Sequence, residues 1–283
     1  MRNGKSMKTL YITDLDGTLL NHKAELSNKT ISIINKLIDD GVLITVATAR
    51  SIASAKYILK DLNLKLPIVL MNGACIYDTS KEEYIKVESF SKENARILID
   101  IIEKNNLKGF LYTLDMGKFN TYYEDLTNHA LRAFHQERVY KYNKSFTLID
   151  NFSQCINETI IYFTLMDSKA NLEQINLLIN DLPNINSVLC QDNYDPNICY
   201  LEIFSNKASK YHAVKFLRSY LSLDRIIGFG DNQNDISLFE ACDTNYAVKN
   251  AIDGLKERAD GIIDENIKDG VALWLNKHAL KST

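Results

Sequence analysis

Apolar positions along this chain follow two rhythms, and the rhythm changes twice. An unbroken apolar run from about Leu10 predicts a buried strand. Ile31, Ile34, Leu37 and Ile38 then recur at helical spacing. They predict a helix over Ser27 to Asp39, with Ser27 as its N-cap and Gly41 as its stop. Val42 to Thr48 is a second apolar, β-rich run, and Ser51 to Leu62 reads as a helix. Pro67 opens a third strand, Ile68 to Met71, which ends at Asn72-Gly73. Successive strand–helix units predict a parallel sheet with right-handed crossovers.

Near Glu82 the pattern changes. A long helix over about Lys92 to Asn105 precedes two aromatic strand-like segments, around Phe110–Thr113 and Phe119–Tyr123. A helix over about Leu126 to Gln136, a strand Ile160 to Leu165, a helix Leu172 to Leu182 and a short strand Ser187 to Leu189 follow. Extended segments joined by short turns suggest antiparallel pairing and a separate α+β unit over residues 83–190. The alternation then returns with a strand Tyr200 to Phe204, a helix Ser209 to Leu221 and a strand Arg225 to Phe229. A helix from about Asp235, a strand Thr244 to Val248 and a final pair of helices around Ile262-Ile263 complete the chain. The expected fold is α/β: a Rossmann-like parallel-sheet domain of residues 1–82 and 191–283, interrupted by an inserted α+β unit.

Composition narrows the function classes. The chain has 283 residues, enough for a large core and one or two domains. Lys+Arg 33 against Asp+Glu 36 leaves a net charge of -3, which gives no support for a nucleic-acid partner. The five cysteines, Cys75, Cys155, Cys190, Cys199 and Cys242, form no C-x-x-C pair and no Cys/His cluster. Thiols in a reducing compartment are expected rather than zinc ligands. No apolar leader precedes the first strand and no run reaches membrane-spanning length, so a cytoplasmic protein with no membrane partner is expected.

Candidate chemistry sits at the strand ends. Leu10-Tyr11-Ile12-Thr13-Asp14-Leu15-Asp16-Gly17-Thr18-Leu19 runs from a buried strand into two carboxylates and a tight turn. Two carboxylates forced together repel unless a cation joins them. Leu43-Ile44-Thr45-Val46-Ala47-Thr48-Ala49-Arg50 again ends a strand on a hydroxyl residue before a helix start, a place suited to an anion. Leu201 to Lys210 is a strand followed by a helix start with a lysine. Ile226-Ile227-Gly228-Phe229-Gly230-Asp231-Asn232-Gln233-Asn234-Asp235 ends a strand in acids and amides, a hard-oxygen environment suited to Mg2+.

These four segments, in this order, resemble the four motifs of the haloacid dehalogenase (HAD) superfamily, and more narrowly its Cof-type (IIB) phosphatases. D-L-D-G-T-L resembles motif I, T-A-R the T-G-R form of motif II, and G-D-x-x-N-D motif IV. Met71-Asn72-Gly73-Ala74 is similar to a segment that precedes the insertion in that subfamily. The departure is Ala49 where the pattern has Gly, which disfavours a positive φ and puts a close backbone approach there in doubt.

The resemblance implies a HAD core with a type C2 cap over residues 83–190, and a Mg2+-dependent phosphomonoester hydrolase acting on a small phosphorylated metabolite such as a sugar phosphate. It implies Asp14 as nucleophile, forming an aspartyl-phosphate, and Asp16 as general acid and base. It assigns the family's motif III lysine to Lys210 in preference to Lys207. Thr48 and Asn234 would hold phosphoryl oxygens, with Ala49, Arg50 and Lys210 completing the substrate-binding set. Mg2+ would be held by Asp14, Asp16 through its backbone carbonyl, and Asp231, with Asp235 beside them. A phosphomutase or phosphotransferase of the same superfamily and a catalytically silent ligand-binding protein are the alternatives. Tyr112, Phe119, Tyr122 and Tyr123 are expected mainly as core or cross-strand pairs, and His129, Arg132 and His135 as a solvated helix face.

Overall fold

The computed structural model describes residues 7–115, 117–191 and 198–279. In its first part, β1 (Thr9–Thr13) is wholly buried. It leads to α1 (Asn28–Asp39), whose N-cap Ser27 accepts from the Thr30 backbone N–H and which buries Ile34, Leu37 and Ile38. Then come β2 (Leu43–Val46), α2 (Ile52–Ile58), β3 (Ile68–Leu70), β4 (Cys75–Asp78) and β5 (Glu83–Val87). The inserted part holds α3 (Lys92–Lys104), β6 (Gly109–Asp115), β7 (Lys118–Tyr123), α4 (His129–Tyr142), β8 (Thr147–Leu148), β9 (Ile160–Met166), α5 (Lys169–Asn180), β10 (Ile185–Gln191) and β11 (Cys199–Ser205). The chain returns through α6 (Lys210–Tyr220), β12 (Arg225–Gly230), α7 (Ile236–Ala241), β13 (Thr244–Val248), α8 (Asp253–Lys256), β14 (Gly261–Ile263) and α9 (Gly270–His278).

The first unit comprises residues 1–85 and 209–283. Its sheet has the order β14-β13-β12-β1-β2, every pair parallel. A parallel bridge from Ala47 to Val69 continues that order to β3. From β1 the chain steps outward through β2 and β3; from β12 it steps the opposite way through β13 and β14. The order therefore reverses between β1 and β12, and in open α/β sheets the carboxyl ends at such a reversal bound the ligand crevice.

The second unit comprises residues 86–208. Its sheet, β10-β11-β9-β6-β7-β8, is antiparallel except for the β7–β8 pair. Leu98, Ile99 and Ile102 of α3 and Leu172, Ile175 and Ile179 of α5 cluster with Leu111, Phe163, Leu165, Leu201 and Ile203 of the strands. Each such buried side chain contributes about 1.5–3 kcal/mol relative to exposure.

Three expectations are corrected here. Tyr200 to Phe204 lies in β11, which pairs antiparallel with β9 and β10 in the second unit. The return to the first unit falls between Ala208 and Ser209, not at residue 191. An apolar run announces a strand but not its partner. Ile262 and Ile263 belong to β14, parallel to β13, and not to a helix pair. The helix expected over Leu126 to Gln136 starts at His129, where Asn128 caps it, and continues to Tyr142. No described helix is long and apolar enough to cross a membrane.

Candidate active site

The paired ends of β1 and β12 fix the first two acids. Thr13 stands beside Phe229 in the ladder, and the Asp14 N–H donates to the Phe229 carbonyl at 3.0 Å. Asp14 is thus the first residue past β1, and Asp231 the first past β12. Lys210 opens α6 beneath the cap Ser209 and is fully buried. Its ammonium donates to Asp14 Oδ1 at 2.6 Å and to Asp235 Oδ1 at 2.7 Å. The other oxygen of Asp235 accepts from the backbone N–H groups of Asp231 at 2.9 Å and Asn232 at 3.1 Å. Gly230 makes room for this, since a Cβ there would lie 2.6 Å from that of Asp235. Thr18 Oγ1 donates to Asp231 Oδ1 at 2.8 Å.

Two buried carboxylates therefore hold one ammonium, with a third, Asp231, beside them. Oxygens of Asp14, Asp231 and Asp235 lie within 4.8 Å of one another. Burial pushes the Asp14 carboxyl up to about 7; Lys210 opposes the rise, while Asp235 and Asp16 add to it. Asp231 is raised well above the usual carboxylate range, by burial first and then by Asp14 and Asp235. Burial alone would lower Lys210, but Asp14 and Asp235 outweigh it and hold its pKa above the ordinary value. The excess negative charge and the all-oxygen donor set fit a hard divalent cation such as Mg2+.

Beside this cluster, Asp16 is gripped by Arg50, with Nε to Oδ2 and Nη2 to Oδ1 both at 2.7 Å. The turn between Asp16 and Thr18 uses Gly17 at φ 80°. Thr48 is buried at the end of the β2 segment, its N–H on the Val69 carbonyl at 3.0 Å and its hydroxyl accepting from the Arg50 N–H at 3.1 Å. Ala49 is not among the residues with positive φ, so the departure from Gly costs no backbone strain. Asn234 donates through Nδ2 to Asn72 Oδ1 at 3.0 Å.

The model of the haloacid dehalogenase-like hydrolases matches residues 11–275. The chain belongs to that family. Among its curated relatives is the 5-amino-6-(5-phospho-D-ribitylamino)uracil phosphatase YwtE of Bacillus subtilis, 27% identical over 293 residues, covering 96% of this chain and 98% of the relative. The pyridoxal phosphate phosphatase YbhA of Escherichia coli is 23% identical over 270 residues, covering 94% and 97%. A solved haloacid dehalogenase-like hydrolase from B. subtilis superimposes with a TM-score of 0.79 at 24% identity, covering 96% of this chain and 99% of that one. The α/β HAD fold, the Cof-type resemblance and the reading as a HAD-type phosphatase, a hydrolase by family, are borne out.

Within this HAD core, four of the residues singled out from sequence, Asp14, Lys210, Asp231 and Asp235, meet in direct contact or close approach. Lys207 is exposed. Asp16 pairs with Arg50, and its carboxylate stays outside the acidic cluster. Sequence reasoning gave no role to Thr18, Asn72 or Asn250. Thr18 and Asn72 carried a signal, each lying within a quoted motif, but Asn250, which donates to the Gly17 carbonyl at 2.7 Å, carried none. In the second unit the His135 ring is not simply solvated: it packs on Phe146 at 4.6 Å and Tyr123 at 5.2 Å. Arg132 donates to the Leu126 and Thr127 carbonyls. Tyr112 packs on Phe119 and Tyr162, and Tyr122 donates to Glu158.

Proposed function

We propose that this HAD-family hydrolase is a Mg2+-dependent phosphomonoester hydrolase for small phosphorylated metabolites, sugar phosphates among them, working in the cytoplasm through an aspartyl-phosphate on Asp14. The observation that carries the reading is the Asp14–Lys210–Asp235 contact at the reversal of the sheet, with Asp231 alongside. Named phosphatases among the relatives support the reaction class. The residues suited to hold Mg2+ are Asp14, Asp231 and the Asp16 backbone carbonyl, with Asp235 near. Bound there, the ion would offset the charge that repels an anionic nucleophile from phosphate.

Asp14 attacks phosphorus with the oxygen that remains outside its Lys210 contact. The bond from phosphorus to the ester oxygen breaks, and Asp16 donates a proton to the departing oxygen. Asp16 must leave Arg50 for this step, as the arriving phosphoryl oxygens compete for the same guanidinium, and takes up from solvent the proton that it then donates. Asp16, now a base, takes a proton from water, which attacks phosphorus and breaks the bond to Asp14. Lys210 orients Asp14 and, against the effect of burial, favours its ionised form before attack, and Asp235 orients Lys210. Thr48 and Asn234 donate to phosphoryl oxygens, while the Ala49 backbone and Arg50 complete the anion site. On this reading residues 86–208 are a type C2 cap, the part that selects the substrate.

The test is phosphate release from a panel of phosphorylated metabolites and a generic aryl phosphate, with and without Mg2+, beside Asp14→Asn. Mg2+-dependent release that the variant loses supports the reading. Formation of a sugar-phosphate isomer without phosphate release replaces it with a phosphomutase, and neither outcome with any compound replaces it with a ligand-binding role.

A further inference from the structure

Three consecutive residues after β3 adopt left-handed backbone: Met71, Asn72 and Gly73, with φ of 49°, 53° and 97°. All three are buried. Such a conformation is uncommon for residues with a Cβ, and it persists only where the surroundings enforce it; outliers of this kind gather at functional sites. The enforcement is visible. The Met71 N–H donates to the Arg50 carbonyl at 3.2 Å and the Asn72 N–H to the Thr48 carbonyl at 3.0 Å. Gly73 presses on the start of α6, where a Cβ would stand 2.1 Å from the Ser209 carbonyl oxygen, one residue before Lys210. The Asn72 side chain, 2% exposed, reaches a third loop, where its Oδ1 accepts from Asn234 Nδ2. One short turn thus fastens the Thr48–Arg50 loop, the Lys210 helix start and Asn234.

We propose that Asn72 is a positioning residue for phosphate recognition, acting through Asn234. By accepting one N–H of the Asn234 carboxamide it fixes the rotamer of that group, which sets the direction of the second N–H toward a phosphoryl oxygen. Asparagine suits the position twice: it tolerates left-handed backbone better than other residues with a Cβ, and its amide oxygen accepts. The proposal rests on the phosphatase reading.

Asn72→Gly separates the two contributions, because glycine keeps the turn and deletes the carboxamide. With the aryl phosphate and Mg2+, the variant is expected to raise KM and the inhibition constant of inorganic phosphate about tenfold, with kcat changed less than about threefold and melting within about 3 °C of wild type. Asn234→Ala should show the same split, and the double variant should be no worse than Asn234→Ala alone. Wild-type kinetics in Asn72→Gly, or two effects that multiply, would overturn the proposal. If Asn72→Gly does not fold, Asn72→Ser, too short to reach Asn234, carries the same expectations. If the wild type hydrolyses no ester, the phosphatase reading fails by itself. Calorimetric binding of inorganic phosphate with Mg2+ then decides: about a tenfold loss in Asn72→Gly supports the positioning role, and equal affinity refutes it.

Discussion

The two units put their buried polar groups to different uses. At the carboxyl ends of β1 and β12, Asp14 and Asp235 share one ammonium with Asp231 alongside, and burial drives Asp14 and Asp231 toward the protonated state. In the second unit, the Glu158 carboxylate is met by neutral hydroxyls, Thr113 at 2.6 Å and Tyr122 at 2.9 Å, beside a continuous apolar core. The crowded acids of the first arrangement cost stability, whereas Glu158 in the second is satisfied by its two hydroxyls.

Removing the acid that matters most gives the largest contrast. Asp14→Asn should lower phosphate release about 10³-fold or more while melting at or above the wild-type temperature, because one of the crowded like charges is gone. Residual turnover within about tenfold of wild type would remove Asp14 from the nucleophile role. Lys210→Met strands the carboxylates and should destabilise by about 3–5 kcal/mol in urea titrations. Phe163→Ala in the second unit should cost a similar ~3–5 kcal/mol through a cavity. The pair separates the units when Mg2+ is added: the ion should recover part of the first loss and none of the second.

The pH dependence is subtler and has a definite sign. Asp14 has a folded pKa of about 7 against an ordinary 3.8, so without metal the folded state binds more protons between those values. Its contribution is complete below the unfolded pKa and is lost as pH rises through the folded one. Melting in chelator should therefore fall from about pH 4 to about pH 7, and Mg2+ should raise it more at about pH 8 than at about pH 5. Equal Mg2+ stabilisation at both pH values would contradict a cluster built on this acid. The smallest effect belongs to Asn250→Ala, which frees the Gly17 carbonyl and should cost only about 1 kcal/mol in the same urea assay.

Legibility in the sequence followed the same divide. The strand ends carrying Asp14, Thr48 and Asp231 were readable because a buried strand that stops on an acid or hydroxyl is a local pattern. Lys210 needed the family resemblance, since nothing local tells a buried helix-start lysine from a solvated one. Asn250 escaped because its partner, Gly17, is distant in sequence and the contact leaves no periodic trace. β11 was found as a strand and given to the wrong unit, because register and partner are properties of the sheet. β14 is three residues long, too short to show any period.

The position of β1 in its sheet also imposes an order on how the molecule is made. On one side it pairs with β2, a near neighbour in sequence; on the other Thr9 pairs with Arg225. The whole of residues 86–208 leaves the ribosome between those two partners. At about 5–20 residues per second, that flank of β1 stays an open hydrogen-bonding edge for roughly ten seconds or more during synthesis. Asp231 and Asp235 emerge later still, so for most of its translation the growing chain carries Asp14 without two of the acids that repel it, and the acidic cluster is completed only as the last strands, β13 and β14, follow.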